Sequence, residues 1–304
     1  MFDRALVDDV GKSVVGRRRE LEAVVAALAA GRHLLLEGPP GTGKSTLLRG
    51  IAEATGSGFE FVEGNAELTP ARLVGTFDPA AVLESGYSPD VFIDGPLLTA
   101  LRDGSMLYLE EINRVPEETL NVLISVMSEG ELHVPRLGHV AATDGFRLVA
   151  AMNPFDAVGT ARISSAVYDR CCRLAMDYQD ASDEMLIVGS EAPDASTAVG
   201  PGFVIQAVEL VRSTRSHQDL RTGSSVRGAI DFVLVTHRLA SLRERPPTDP
   251  DVTLDAALLA LSGRVRVREG SGRTGEEIIE ELWRIYFSPS PDGEREAGAP
   301  DPKA

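Results

Sequence analysis

The chain is poor in the groups that point to redox, metal or membrane chemistry. Two cysteines occur in 304 residues, Cys171 and Cys172, and they are adjacent. Adjacent thiols make no metal spacing, and so few fit a reducing compartment, with both expected to be buried and inert. The five histidines, at 33, 133, 139, 217 and 237, fall into no HExxH or paired arrangement, so no structural metal is expected. No apolar run approaches the roughly 18 residues that cross a bilayer; AVVAALAA at 23–30 is among the longest. The opening MFDRALVDDV carries acids where a secretion signal needs a basic end followed by an apolar core. Together these absences predict a soluble, cytoplasmic protein with no membrane insertion. Positive charge is scarce too: 30 Lys and Arg stand against 46 Asp and Glu, a formal net charge of −16. A surface that neutralises nucleic-acid phosphates needs the opposite balance, so a nucleic-acid partner is disfavoured.

What is present is ordinary globular composition, 43% hydrophobic and 25% charged, in a chain long enough for one large domain or two smaller ones. Short apolar runs alternate with helical patterns through the first 180 residues. Strands are predicted at HLLLEG (33–38), FEFVEG (59–64), SMLYLE (105–110), FRLVAAMN (146–153) and CRLAMDY (172–178). Their near-continuous apolar character is that of a parallel sheet covered on both faces. Helices are predicted between them at 20–30, 44–55 and 116–130, the last with Pro116 in its first turn and Gly130 at its end. Strands alternating with helices give an α/β fold with a five-stranded parallel sheet and right-handed crossovers.

Composition changes near residue 190. The segment SEAPDASTAVGPG (190–202) is small, polar and turn-rich, the composition of a linker. Helical periodicity alone follows, at 203–214, 224–242, 254–265 and 275–287. The expected organisation is an α/β domain over 1–180, a linker over 181–202 and a small all-helical lid domain over 203–287. The end, 288–304, has too few apolar residues to fold and is expected to be disordered.

The stretch GPPGTGKST at 38–46 fits G-x-x-x-x-G-K-[ST], directly after a predicted strand and at the start of a predicted helix. Average composition yields such a match by chance in roughly one chain in a hundred of this length, and the strand–loop–helix context makes it rarer still. In such a phosphate-binding loop Gly38, Gly41 and Gly43 let the backbone amides curl around phosphates, with Pro39, Pro40, Thr42 and Thr46 completing it. Lys44 reaches the β- and γ-phosphates of ATP, and Ser45 ligates Mg²⁺. A second acidic site on a neighbouring strand is then required. The run MLYLEEINR at 106–114 supplies two adjacent acids. Successive strand residues face opposite sides, so Glu110 and Glu111 cannot both serve one purpose in a continuing strand. Glu110 faces the Mg²⁺ shell, and Glu111 turns towards the γ-phosphate to polarise a water.

At this point the chain resembles the AAA+ ATPases, and LEEINR followed by VPEETLNVLISVMSEGELHV resembles the MoxR family among them. The family's usual run is Asp-Glu-Ile-Asn-Arg, so Glu110 is a departure that bears on hydrolysis rate or metal affinity. The resemblance implies further roles. Asn153, in VAAMNPFD, would bridge the γ-phosphate and the lytic water. Arg170, in SSAVYDRCCRL, occupies the place of the family's Leu-Asp-Arg-Phe arginine, which reaches the next subunit's γ-phosphate. Cys171 replaces the Phe there, and Arg173 and Arg162 are competitors for the role. Arg227, in GSSVRGAID, matches the second sensor arginine that contacts nucleotide from the helical lid, with Ser224 or Ser225 as helix cap. Residues 75–97 fall where such proteins carry an extra loop, and 131–145 read as a β-hairpin with no basic stripe. Arg17–Arg19, in VVGRRREL, match a segment near adenine or are a solvated helix start.

The implied protein is a ring-forming homo-oligomer, a hexamer in the family, that hydrolyses ATP to remodel or mature a client protein or complex. Its implied partner carries a von Willebrand factor A domain. Two rival readings remain open: a nucleotide-gated scaffold in which Glu110 and the altered arginine region slow turnover, and a nucleic-acid motor, which the charge opposes.

Overall fold

Five apolar runs become five parallel strands in the computed structural model, which describes residues 2–154 and 163–288. These are β1 (His33–Glu37), β2 (Phe59–Glu63), β3 (Met106–Glu110), β4 (Arg147–Met152) and β5 (Cys171–Ala175). They lie in the order β2-β3-β4-β1-β5, and each neighbouring pair is parallel. Alternation along each strand divides the core in two. Leu35, Leu107, Leu109, Leu148 and Ala150 pack to one side, while Leu34, Leu36, Tyr108, Val149 and Ala151 pack to the other. The three inner strands β1, β3 and β4 are buried almost throughout because helices cover both faces, whereas the edge strands β2 and β5 are partly exposed. Helices α1 (Arg4–Val10), α2 (Arg18–Ala29) and α3 (Lys44–Thr55) contribute to the second core, and α4 (Pro96–Asp103) and α5 (Glu117–Glu129) to the first. A short α6 (Ser165–Arg170) leads into β5.

The register aligns the carboxyl ends of the strands. Glu37 of β1 is opposite Met152 of β4, and Glu63 of β2 is opposite Glu110 of β3. Ligands of open α/β sheets bind beyond these ends. Pro116 caps α5 from outside instead of sitting in its first turn, which holds Glu117 and Glu118. On β5, at the sheet edge, Cys172 is exposed and only Cys171 is half-buried, with burial pushing its thiol up to about 11. The expected burial of both cysteines fails because an edge strand has one face open.

The two insertions fold as antiparallel ribbons. Gly75–Phe77 pairs with Phe92–Asp94 around a helix at Pro79–Ser85, and Glu131–Val134 pairs with Gly138–Ala141. Arg136, at the tip of the second ribbon, stacks its guanidinium 3.7 Å from the ring centroid of Tyr87 in the first.

The second compact unit begins at Gln179. The segment expected as a linker is helical: α7 (Ala181–Glu191), α8 (Pro193–Val199) and the start of α9 (Pro201–Ser216). Asp180 caps α7, Pro193 and Pro201 occupy first turns, and Val188, Ala195 and Val199 are buried with Phe203 and Phe232. Composition misleads here because prolines at helix starts and alanines at close helix contacts look like a loop. Helices α10 (Val226–Arg243), α11 (Pro250–Leu261) and α12 (Gly275–Phe287) complete the unit. A two-stranded ribbon of Leu220–Thr222 with Arg266–Val267 interrupts the expected all-helical architecture. Trp283 donates its indole N–H to Thr253 at 3.1 Å, tying α12 to α11. The tail expected to be disordered lies, after Ser288, outside the described residues. Among the described residues no helix is long and apolar enough to cross a membrane.

Candidate nucleotide site

The loop joining β1 to α3 is shaped by its glycines. Gly41 and Gly43 sit at φ 76° and 83°, a left-handed conformation that costs other residues about 1–2 kcal/mol. A Cβ on Gly38 would lie 2.1 Å from the carbonyl oxygen of Met176, so only glycine fits. Gly38 N–H donates to Met152 at the end of β4, 3.1 Å away. Inside the loop the buried Lys44 Nζ donates to the carbonyls of Gly38 (3.0 Å) and Pro39 (2.9 Å) and to Thr42 Oγ1 (3.3 Å). Thr42 is buried and donates to Pro39 at 3.1 Å, while Pro40 and Thr46 are exposed. An ammonium placed at the root of a 12-residue helix, with the loop amides around it, makes a cradle for anionic groups.

Across from the loop, β3 brings up its acids. Ser45 Oγ lies 3.5 Å from Glu110 Oε1 and 3.2 Å from the hydroxyl of Tyr108. Tyr108 is fully buried, and burial first, then the nearby Glu110 charge, holds its phenol well above the ordinary tyrosine range. The strand stops at the next residue. Glu111 adopts φ 54°, ψ 43°, so its carboxylate diverges from that of Glu110 and pairs with Arg114 Nε at 3.0 Å. Gly64 clamps this turn: its N–H donates to Glu110 at 2.7 Å, and a Cβ there would meet Glu111 O at 2.4 Å. One backbone twist thus separates two adjacent acids. Asn153 follows β4 directly and is half-buried.

The donor set suits Mg²⁺. Ser45 and Glu110 offer oxygens only, and among the described residues no cluster of three or more His, Cys, Asp or Glu could cage a metal. Mg²⁺ is bound through one or two protein oxygens, with waters and substrate phosphates filling the rest.

The arginines are distributed unequally. Arg170 ends α6, where its Nε donates to Ser128 Oγ of α5 and its Nη1 to Ala166 at 3.0 Å. Arg173 instead grips Glu37, with Nε 2.6 Å and Nη2 2.5 Å from Oε2. Tyr168 donates to the other oxygen of Glu37 at 2.9 Å, and burial, then this contact, raise its phenol pKa. Arg162 lies outside the described residues. Arg227 is exposed in the first turn of α10, in the second unit. Ser225 stands at the cap position of that helix without a side-chain capping bond, and Ser224 is buried, its N–H bonded to Thr214 at 2.8 Å. Arg17 is not solvated: it is 3% exposed, pairs with Glu20 at 2.8 Å and donates to the Asp177 carbonyl. Sequence reasoning passed over Tyr108, Glu37 and Tyr168. Tyr108 alone had a local signal, an aromatic polar tip two residues before Glu110 on the same strand face.

The comparisons agree with this architecture. The model of the AAA domain, dynein-related subfamily, matches residues 33–171. An uncharacterized protein of Staphylococcus haemolyticus, SH1500, is 30% identical over 66% of this chain and 76% of its own length. The gas vesicle ATPase GvpN of Haloferax mediterranei is 29% identical over 65% of this chain and 60% of its own. A crystal structure of a putative ATPase from Cytophaga hutchinsonii shares the fold, with a TM-score of 0.51, 22% identity, and coverage of 92% of this chain and 93% of that one. With a phosphate cradle on the sheet edge and the acidic strand opposite it, the chain belongs to the AAA+ ATPase family and carries an AAA domain of the dynein-related subfamily.

Proposed function

We propose that this protein binds ATP with Mg²⁺ at the β1–α3 loop and hydrolyses it, working as a MoxR-type ring that remodels or matures a client protein. The observation that carries the reading is the approach of Ser45 to Glu110 across the loop, with Glu111 turned aside from both. Lys44 and the loop amides of Gly38–Thr46 hold the phosphates. Ser45 and Glu110 hold the cation, Glu110 through water. When bound, Mg²⁺ would supply charge neutralisation at the phosphates. Glu111 takes the proton of the attacking water, Asn153 orients that water, and Arg170 stabilises charge on a neighbouring subunit's γ-phosphate. Arg227 makes the helical unit responsive to nucleotide. A ring, a hexamer in the resembled family, follows from needing Arg170 in trans; a von Willebrand factor A domain partner follows from the resemblance alone.

A second reading, a nucleotide-gated scaffold with slow turnover, draws on the ion pair between Glu111 and Arg114. A base engaged by a guanidinium must be released before it can accept a proton. A nucleic-acid motor has less support: the hairpin's Arg136 lies on Tyr87 and its His139 on Glu131, 2.6 Å away. The discriminating experiment is steady-state ATPase rate against protein concentration. Specific activity that climbs with concentration supports a site completed in trans, and Glu111→Gln should then bind ATP without turning it over. Tight ATP binding with flat, negligible turnover at every concentration would replace the motor by the scaffold.

A further inference from the structure

Tyr108 is the only aromatic residue of β3 and stands two positions before Glu110, so both side chains leave the strand on one face. That face meets α3, whose second residue is Ser45. The phenol oxygen lies 3.2 Å from Ser45 Oγ, which itself lies 3.5 Å from Glu110 Oε1, and the Glu110 charge is near enough to help raise the phenol's pKa. Its position is fixed by packing independent of those polar contacts. Phe59 and Phe61 of β2 flank the ring at centroid distances of 5.9 and 5.7 Å. The Arg49 guanidinium of α3 covers both phenylalanines, at 5.0 and 5.7 Å. The hydroxyl is therefore presented to the Ser45–Glu110 pair by a rigid aromatic stack.

A hydroxyl has one proton and two lone pairs. When Ser45 turns a lone pair to a cation, its proton needs an acceptor elsewhere. Glu110 could accept it, at the cost of committing a carboxylate oxygen. The geometry points to Tyr108 as a third polar member of the magnesium site, a positioning residue that accepts the Ser45 proton and donates its own to Glu110. Both metal-facing groups are then aimed without spending the carboxylate's capacity on the serine. The glutamate at 110, one methylene longer than aspartate, and the phenol that supports it act as a unit. This inference rests on the ATP and Mg²⁺ reading above.

The test is a Mg²⁺ titration of the full chain with a fluorescent ATP analogue, with EDTA as the metal-free reference. Tyr108→Phe keeps the ring and its stack and deletes the hydroxyl. Its apparent Mg²⁺ affinity should fall about tenfold, the size expected for losing a hydrogen bond to a charged group. Affinity for the analogue in EDTA should not change, a split that a merely structural role would not produce. A Mg²⁺ midpoint equal to the parent's overturns the assignment. In a Glu110→Asp background the same substitution should cost less than about threefold, because coupled groups are non-additive. Equal losses in both backgrounds also overturn it. A parent chain that binds no analogue under any condition would instead sink the ATP reading, a separate and recognisable failure.

Discussion

Three strands of one sheet end in glutamate, and the surroundings of two of them, Glu37 on β1 and Glu110 on β3, could hardly differ more. Glu37, the last residue of β1, is 4% exposed and receives both Nε and Nη2 of Arg173 on one oxygen and the Tyr168 hydroxyl on the other. Glu110, the last residue of β3, has the Ser45 hydroxyl 3.5 Å from its Oε1, and Tyr108 stands on the same strand face two residues earlier. A buried carboxylate gripped by a guanidinium is already neutralised, and removing its partner would leave an uncompensated charge. A carboxylate facing a neutral hydroxyl instead is open to a cation from solution. On the proposed reading, the same residue at the same strand position becomes a strut in one case and a metal ligand in the other, and the arginine decides which. The contrast also bears on the candidate fingers: Arg173 is committed to Glu37 of the same chain, whereas among the described residues Arg170 is held by a serine hydroxyl and a carbonyl.

The sharpest way to break this comparison is to remove each charge separately. Glu110→Gln should lower Mg²⁺ affinity by about 10- to 100-fold, the range seen when groups orienting a metal are removed. Glu37→Gln should leave the Mg²⁺ midpoint within about twofold of the parent, since its partner is a fixed arginine and not the metal. Equal midpoints in isothermal titrations of the two variants would mean that the strand ends are not functionally distinct.

A smaller effect is expected at the other end of β1. His33 accepts the Leu148 N–H through Nδ1 at 2.9 Å, and burial, then Arg147 and Arg32, lower its pKa to about 4. The unfolded chain binds this proton near pH 6.5, so the folded state gives it up. The stability tied to neutral His33 is complete above pH 6.5 and is lost as pH falls towards 4. With partial exposure discounted, the loss should be about 1–2 kcal/mol. Chemical denaturation of the parent and His33→Gln at pH 7.5 and 5 would measure it. Identical pH slopes in the two would assign the loss to other groups. Glu37 anchors its end of the strand by charge, while His33 anchors the other by staying neutral.

How much of this was legible in the sequence follows from how far apart the partners lie. All five strands were readable because each is a self-contained apolar run, and the loop at 38–46 because its glycines, Lys44 and Ser45 are contiguous. Glu110 and Glu111 were readable as a divergent pair, although the device that separates them, a left-handed backbone at Glu111 clamped by Gly64, leaves no local mark. The pairing of Glu37 with Arg173 spans 136 residues, and nothing near either one announces it. The helices α7 and α8 were hidden for a different reason. Ala192 and Ala195 are buried where helices pack close and Pro193 opens a helix, and composition alone cannot tell these from a loop.

Tyr168 should give the smallest effect and the finest resolution of the comparison. Its hydroxyl supplies the second contact to Glu37, yet the residue is 40% exposed and the carboxylate keeps Arg173 when that contact is gone. Tyr168→Phe should therefore cost no more than about 1 kcal/mol in unfolding free energy, the net value of a single hydrogen bond, reduced by solvent access. Its Mg²⁺ midpoint should not move. Tyr108→Phe deletes the same atom from the other glutamate's surroundings and should do the reverse, shifting the midpoint by about tenfold. Two phenol-to-phenyl changes, each beside a strand-ending glutamate, would thus separate into a stability effect and a metal effect. A Mg²⁺ shift in Tyr168→Phe as large as that in Tyr108→Phe would show that the Glu37 cluster communicates with the metal site through the loop that begins at Gly38, and the division between strut and site would have to be redrawn.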